Sequence, residues 1–238
     1  MTPPSRCAPS PLRGGTTPVA GAGPATVFLA WPAPRPSVRW LRRVGVAVLA
    51  ALALAPALAQ DSGEARARKI IGGSCFLCHG AEGESASEVF PRLAGQNAEY
   101  IAKQLENFKS GKRKSTAMAS MVTELTPEDM VALGRFYAAR PPHKEAAQDA
   151  ALAGVGRYIY QSGNKWSGVP SCASCHGAEG AGSTTLPRLA GQHAAYLETQ
   201  LKQFSKRERN NDNAVMHTVV EKMTGLEMAA VSEYLSGK

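Results

Sequence analysis

The sequence predicts an all-α protein built from two similar domains. Apolar residues recur at helical spacing through most of the chain after residue 60, and no segment alternates convincingly between apolar and polar side chains as a strand would. Two long segments also repeat each other, and 238 residues suffice for two small domains. With 6% aromatic residues, 23 Gly and 16 Pro, the chain is poor in core-forming side chains. This composition suggests that a bound group fills part of each domain.

Residues 1–59 are expected to be a cleaved secretory signal that takes no part in the fold. A basic stretch at 39–43 precedes an apolar run, Val44–Ala59, which ends in a small-x-small cleavage site. The alternative is a membrane anchor, but a run of 16 residues is shorter than the roughly 20 that span a bilayer. We therefore expect cleavage after Ala59 and export to the periplasm.

The formal net charge of +8 comes mostly from this presequence. Residues 1–59 contain six Arg and no acidic residue, so the rest of the chain has 21 basic and 19 acidic residues. A charge so close to zero removes the main argument for nucleic-acid binding. Residues 1–37 also lack periodicity, and we expect translation to begin later, for example at Val38.

The two repeats share their motifs in the same order. Cys-x-x-Cys-His-Gly-Ala-Glu-Gly occupies 75–83 and 172–180, and Pro-Arg-Leu-Ala-Gly-Gln occupies 91–96 and 187–192. Two copies are too few for a solenoid, so they indicate two domains. The pair Pro141-Pro142 favours a joint between the two domains at this point. We assign the first domain to 60–140, the linker to 141–145 and the second domain to 146–238.

Each repeat is predicted to contain three main helices. The first precedes the Cys pair, around Glu64–Ile71 and Ala146–Tyr160. The second follows the Pro-Arg-Leu-Ala-Gly-Gln turn, where apolar residues recur at helical spacing. The last helix begins after a capping residue. In the first repeat this residue is Thr126, which a proline follows, and in the second it is Thr224, which can form a capping box with Glu227.

The Cys-x-x-Cys-His motif carries the chemistry. Two thiols three positions apart can each form a thioether to a porphyrin vinyl group, and the next residue then presents an imidazole to the iron. The motif therefore predicts two covalently bound haem c groups. The attachment residues are Cys75 and Cys78 with His79 as iron ligand, and Cys172 and Cys175 with His176.

Other roles for these cysteines are a redox-active pair, a disulfide, or a four-Cys zinc site. A redox pair usually lies in a strand–helix unit, which this sequence lacks. A zinc site would leave both histidines without a function. Two complete motifs at matching places in an exported chain favour haem over all three alternatives.

The sixth iron ligand is expected to be a methionine in each repeat. The choices are Met118 or Met121 in the first repeat and Met216 or Met223 in the second. Met118 and Met216 occupy matching positions. Each lies seven residues before the residue that precedes the helix cap, Leu125 in the first repeat and Met223 in the second. Met118 and Met216 are therefore the predicted ligands, and a Met opposite His raises the reduction potential of a haem.

Three further histidines are expected to have no role at the iron. His217 adjoins Met216, but its counterpart is Ala119, so we expect it to face solvent. His143 lies in the linker, and His193 begins a helix that we expect at the surface.

Supporting residues follow from general features of haem sites. A ligating imidazole usually donates its other N–H group to a backbone carbonyl, and the carbonyls of Pro91 and Pro187 are the candidates. Haem propionates call for cations nearby, although the same residues could form a solvated surface. The candidates are Arg113 and Lys114 in the first repeat, and Lys206 and Arg207 in the second.

The combination of motifs resembles the cytochrome c4 family. Besides the tandem Cys-x-x-Cys-His-Gly motifs, the resemblance rests on Phe-Pro-Arg-Leu-Ala-Gly-Gln from Phe90, Lys-Gln-Leu at 103–105 and Phe-Lys-Ser-Gly-Lys-Arg at 108–113. It covers the chain from Gln60 onwards. The long N-terminal extension and the Lys-Arg-Glu-Arg-Asn segment at 206–210 depart from it.

This resemblance implies two cytochrome c-like domains related by a pseudo-twofold axis, with His/Met ligation of both irons. It also implies a periplasmic electron carrier, soluble or peripherally attached to the membrane. Its partners would be a quinol-oxidising complex upstream and a terminal haem–copper oxidase downstream. An alternative is the haem subunit of a dehydrogenase complex such as a flavocytochrome sulfide dehydrogenase. A dihaem peroxidase or a gas sensor would need an open iron site, which a Met in both repeats disfavours.

Overall fold

The structure, a computed structural model, describes residues 63–238. The predicted presequence, its cleavage after Ala59 and the translation start at Val38 lie outside these residues. The described chain is helical, and its one extended pairing is an isolated bridge between Asn164 and Val169. The prediction of an all-α fold is confirmed.

Helical chain leads directly into the first Cys-x-x-Cys-His motif. Helix α1 covers 63–70 and continues through a π-helix, Ile71–Cys75, into the short α2, Phe76–His79. The motif therefore lies on the last turns of one continuous helical segment. The other helices of the first repeat are α3 (Ala98–Lys109), α4 (Thr116–Met121) and α5 (Pro127–Ala138).

The second repeat has the same order of helices with a different approach to its motif. Its first helix begins at Ala150 and not, as predicted, at Ala146, because the Asp149 carboxylate caps it by accepting the N–H of Leu152 at 2.9 Å. A short turn then separates this helix from the motif. The helices are α6 (Ala150–Ser162), α7 (Ala173–His176), α8 (Ala194–Ser205), α9 (Val215–Val220) and α10 (Gly225–Ser236).

The last helix of each repeat begins where the sequence predicts, and for the predicted reason. Thr126 Oγ1 accepts the N–H of Asp129 at 3.2 Å, and the Asp129 carboxylate accepts the N–H of Thr126 at 2.9 Å. Thr224 and Glu227 form the same reciprocal pair at 3.2 and 2.7 Å. Each pair satisfies two N–H groups that a helix start would otherwise leave unbonded.

Each repeat has its own apolar core. In the first repeat α3 packs on α5, and in the second both α6 and α8 pack on α10. The first core contains Ala67, Ile71, Ile101, Val122, Leu125, Met130, Ala132, Leu133, Phe136 and Tyr137. The second core contains Ile159, Tyr160, Val169, Leu197, Phe204, Val220, Met223, Met228, Val231 and Leu235.

Helix α6 approaches α10 so closely that it tolerates no side chain at Gly156. A Cβ atom there would lie 1.8 Å from the carbonyl oxygen of Ala230, whereas one at Gly154 on the same helix would have no atom within 4 Å. We predict that Gly156→Ala lowers the free energy of unfolding by about 1–3 kcal/mol through overpacking. Urea unfolding of the purified holoprotein, followed by far-UV circular dichroism, measures this loss.

Gly154→Ala is the matched control for this variant. It removes a glycine from an exposed helical position and should stabilise the protein by up to about 1 kcal/mol. Equal changes in both variants would show that the two helices do not approach each other this closely.

The carboxylate of Asp129 should make stability depend on pH in the acid range. The Arg66 guanidinium bonds to it and holds its pKa at about 2, below its usual value near 3.8. A carboxylate whose pKa is lowered by folding stabilises the fold at pH values above its ordinary pKa. This contribution to stability is lost as the pH falls towards 2. We predict that Asp129→Ala costs about 1–2 kcal/mol at pH 7 and much less near pH 2.

Urea unfolding at the two pH values tests this prediction. Glu124→Ala, which removes an exposed carboxylate just before the helix, serves as the control. A loss in Asp129→Ala that is the same at both pH values would assign it to packing and not to charge.

Candidate haem sites

The two cysteines and the histidine of each repeat lie on consecutive turns of helical chain. In the first repeat Cys75 ends the π-helix, and Cys78 and His79 lie on α2. Spacings of three and four residues place these side chains on the same face of the helical segment. The second repeat places its three residues in the same way around α7: Cys172, Cys175 and His176.

Each motif histidine is held by a backbone carbonyl of the turn that follows it. The Nδ1–H group of His79 donates to the carbonyl of Pro91 at 2.9 Å, and that of His176 donates to the carbonyl of Pro187 at 3.4 Å. A proton on Nδ1 leaves the lone pair of Nε2 free, and no residue in 63–238 hydrogen-bonds to Nε2 of either ring. Burial lowers the pKa of both imidazoles and so favours the neutral form, which coordinates metals.

The loop after each histidine folds back on the Pro-Arg-Leu-Ala-Gly-Gln turn. The carbonyl of Gly83 accepts the N–H groups of Leu93 and Ala94 at 2.8 and 3.0 Å, and Gly180 makes the same pair of bonds in the second repeat. Gly83 has φ near +86°, and a Cβ atom there would lie 2.7 Å from the backbone nitrogen of Ala94. The repeated glycine thus lets the turn come close enough for its proline carbonyl to reach the histidine.

The two methionines proposed as iron ligands lie on the short helices α4 and α9. The N–H of Met118 donates to Ser115 Oγ at 3.2 Å, and the N–H of Met216 donates to Asp212 Oδ2 at 2.6 Å. Both side chains are half-buried. Met118 packs against the apolar core that Cys75 borders, and Met216 packs against the core that borders the first Cys of its own motif.

These residues fit haem c and disfavour the other roles for the cysteines. The four thiols of the described chain are free, so neither motif forms a disulfide. Between residues 63 and 238 no three His, Cys, Asp or Glu side chains converge as a metal cluster would require, which argues against zinc. Burial raises the pKa of Cys75, and raises that of Cys172 to about 11, whereas redox-active pairs have lowered thiol pKa values.

The two repeats exchange identical hydrogen bonds through the glutamines of their turns. The side chain of Gln192 accepts the N–H of Arg92 and donates to its carbonyl, both at 2.9 Å. The side chain of Gln96 does the same with Arg188, at 2.7 and 2.9 Å. Because each contact has its counterpart with the repeats exchanged, the domains are related by a pseudo-twofold axis.

A second set of mirrored contacts surrounds two guanidinium groups in the same interface. Arg113 donates to Gln104 of its own repeat at 2.9 Å. It also donates to Tyr196 Oη and Gln200 Oε1 of the other repeat, both at 2.9 Å. Arg209 makes the corresponding contacts to Gln200, Tyr100 and Gln104 at 2.7, 2.9 and 3.2 Å.

These mirrored contacts identify the counterpart of Arg113. The counterpart of Arg113 in the second repeat is Arg209, and not Lys206 or Arg207. Lys206 and Arg207 are exposed, as is Lys114. Neither Arg113 nor Arg209 forms an ion pair with a carboxylate of the described residues, so two cations face each other across the interface without a protein counter-charge.

Two of the histidines expected at the surface are buried, so those predictions are wrong. His193 donates from Nε2–H to the carbonyl of Ser85 in the other repeat, at 2.8 Å. His217 donates from Nδ1–H to the carbonyl of Phe204 at 3.0 Å, and its Nε2 lies 3.0 Å from both Arg207 Nε and Glu221 Oε2. The partner of His193 is 108 residues away in the chain, so no local pattern in the sequence signals that contact.

Comparison with known proteins assigns both repeats to cytochrome families. A family model described as "Cytochrome c" matches residues 156–237, and one described as "Cytochrome C oxidase, cbb3-type, subunit III" matches 59–136. Cytochrome c4 of Thiocapsa roseopersicina is 40% identical over 181 residues, which cover 74% of this chain and 91% of that protein.

Two further comparisons bear on fold and function. A thiosulfate dehydrogenase electron acceptor of Thiomonas intermedia is 35% identical over 170 residues, covering 69% of this chain and 78% of that protein. The crystal structure of reduced recombinant cytochrome c4 from Pseudomonas stutzeri matches with a TM-score of 0.69 and 33% identity, covering 74% of this chain and 97% of that structure. The chain therefore belongs to the cytochrome c4 family and is a dihaem electron-transfer cytochrome with two covalently bound haem c groups.

Proposed function

We propose that this cytochrome relays single electrons in a bacterial respiratory chain, from a quinol-oxidising complex to a terminal haem–copper oxidase. The observation that supports this role most directly is the joining of two equivalent haem sites by reciprocal hydrogen bonds between their turns. The turn that orients each histidine also bonds to the other domain, so the two sites are connected through their turns. Haem c supplies the one-electron redox couple, and the chain supplies the attachment, the ligands and the interface.

The iron ligands are proposed to be His79 with Met118 and His176 with Met216. The free Nε2 of each histidine and the placement of each methionine beside the same core as a motif cysteine support this set. The carbonyls of Pro91 and Pro187 act as positioning groups because they fix the tautomer and the ring orientation of each imidazole. Two protein ligands on each iron would leave no open position for substrate, which would suit a carrier better than an enzyme.

Arg113 and Arg209 are proposed to neutralise haem propionates at the interface. Both guanidinium groups donate hydrogen bonds to neutral oxygens of Tyr and Gln side chains and lack a carboxylate partner in the described chain. Buried cations without a counter-charge are costly, so an anionic group nearby would offset that cost.

The setting of this function is proposed to be the periplasm, reached through cleavage after Ala59. Covalent haem attachment to an exported chain agrees with the presequence. Within 63–238 there is no helix with the length and apolar character needed to cross a membrane. Peripheral attachment to the membrane surface is compatible with this proposal.

A second candidate function is suggested by one comparison. The relative from Thiomonas intermedia is described as an electron acceptor of thiosulfate dehydrogenase. We propose that a periplasmic dehydrogenase of this kind, or a flavocytochrome sulfide dehydrogenase, is the alternative source of electrons. Reduction of the purified cytochrome by thiosulfate dehydrogenase and thiosulfate, without a mediator, would support this alternative.

Loss of the proposed ligand Met118 should open one of the two irons. We predict that dithionite-reduced Met118→Ala binds carbon monoxide at one of its two haems, whereas the wild type binds none rapidly. The reduction potential of that haem should also fall, because a thioether ligand raises it. Carbon monoxide difference spectra and a redox titration measure both effects.

Met121→Ala is the matched control, because Met121 lies on the same helix and is 45% exposed. It should leave both the spectrum and the potential unchanged. Carbon monoxide binding by Met121→Ala but not by Met118→Ala would reverse the assignment of the ligand.

Removal of one Cys pair should remove one covalent haem. We predict that the double variant Cys75→Ala/Cys78→Ala contains one covalently bound haem per chain, compared with two in the wild type. The pyridine haemochrome assay on the denatured, acid-acetone-extracted protein counts only covalent haem. Two retained haems would show that the first motif is not an attachment site.

The proposed role itself is tested by rapid mixing of the reduced wild-type protein with detergent-solubilised terminal haem–copper oxidase from the same organism. Oxidation of both haems without an added mediator is expected. Oxidation by ferricyanide but not by the oxidase would refute this downstream partner.

A further inference from the structure

The second repeat has a short hairpin that the first repeat lacks. In the first repeat helical chain leads into the motif, whereas in the second a turn at 164–169 lies between α6 and Cys172. The N–H of Asn164 donates to the carbonyl of Val169 at 2.8 Å, and the N–H of Val169 donates back to Asn164 at 3.0 Å. Asn164 Oδ1 also accepts the N–H of Trp166 at 3.0 Å, which fixes the tip of the hairpin.

The hairpin is tied to the domain on both sides. Val169 is buried in the second core, which Met216 also borders. Asn164 Nδ2 donates to Glu227 Oε1 at 2.7 Å, and Lys222 Nζ donates to the carbonyl of Gly168 at 3.4 Å. A hairpin held in this way loses little conformational freedom when a partner binds to it.

This rigid hairpin presents a large apolar side chain to solvent. Trp166 is 87% exposed, and Leu226, next to the residue that anchors the hairpin, is 68% exposed. Trp166 is also the one tryptophan in residues 60–238. An indole ring adds nothing to the core when it is this exposed, whereas Trp is enriched among the residues that dominate protein–protein binding energy.

Two exposed lysines lie beside Trp166 and the hairpin. Lys165 Nζ lies 4.8 Å from the centre of the indole ring, and Lys222 reaches the base of the hairpin. Neither lysine forms an ion pair with a carboxylate of the described chain. Of the nearby acids, Glu227 is buried and accepts a hydrogen bond from Asn164, and Oε2 of Glu221 lies 3.0 Å from Nε2 of the buried His217. The two unpaired lysines favour an acidic partner.

We propose that Trp166, Leu226, Lys165 and Lys222, the Trp166 patch, form a docking surface for an acidic face of the terminal haem–copper oxidase. This inference rests on the proposed function. The hairpin is continuous with the chain that leads to Cys172, and its Val169 packs in the core beside the second haem site. A partner docked on the Trp166 patch would therefore lie beside the second haem site. The lysines steer the encounter, and the indole ring supplies the apolar anchor.

The test uses the reduced holoprotein and two oxidants, the solubilised oxidase and ferricyanide. Trp166→Ala should lower the second-order rate constant with the oxidase about tenfold at low ionic strength, the usual scale for truncating a dominant interface residue. The double variant Lys165→Gln/Lys222→Gln should react several-fold more slowly than the wild type and show a weaker dependence on salt. Ferricyanide should oxidise all variants at wild-type rates, since it needs no protein docking surface.

Tyr158→Ala is the matched control, because Tyr158 is an exposed aromatic residue (64%) on α6 of the same repeat. It should react with the oxidase at the wild-type rate. A wild-type rate in Trp166→Ala would overturn the docking surface while leaving the proposed function intact. Slower oxidation by both oxidants would assign Trp166 a structural role and also overturn it. If the oxidase fails to oxidise even the wild type, the proposed function fails, and its docking surface fails with it.

Discussion

Hydrogen bonds to the backbone of the two Pro-Arg-Leu-Ala-Gly-Gln turns are the interaction on which the rest of the structure depends. Within a repeat, the proline carbonyl holds the motif histidine, and the turn's glycine N–H bonds to the last helix, at Tyr137 and at Leu235. Across the interface, the glutamine side chain satisfies the backbone of the opposite turn. Because buried backbone groups must be bonded, a shift of one domain would leave polar groups of the other unpaired. Ligand orientation and domain position are therefore linked.

The interface also contains two arginine side chains without a carboxylate partner among the described residues. Arg113 and Arg209 bring two positive charges into a region where the described acceptors are neutral Tyr and Gln oxygens. An anion nearby would offset the cost of burying these charges. Propionates would supply such anions, and the haem groups would then stabilise the contact between domains as well as each core. The interface and the cofactors would in that case assemble together.

The two repeats are similar where they hold haem and different in parts of their exposed surface. Both have the motif, the turn, the short methionine helix and the capped last helix. The Trp166 hairpin is confined to the second repeat, and exposed Phe76 and Leu77 are confined to the motif of the first. A duplicated fold can diverge in this way because surface residues between fixed ligands contribute little to the core. Each domain can then offer a different face to a partner.

The sequence by itself determined the fold class, the two domains, the capped last helices and two haem c groups, because these depend on local spacing. Periodicity, capping pairs and the Cys-x-x-Cys-His motif act within a few residues, and the internal repeat supplied a second copy of each. The sequence also suggested ligand and positioning residues, which remain predictions. Only the tertiary structure revealed that His193 and His217 are buried, that Arg209 and not Lys206 or Arg207 mirrors Arg113, and that the glutamines lock the domains together. Those contacts join Gln192 to Arg92, or His193 to Ser85, across about a hundred residues, and such pairings are set by how the two domains pack and not by any local pattern.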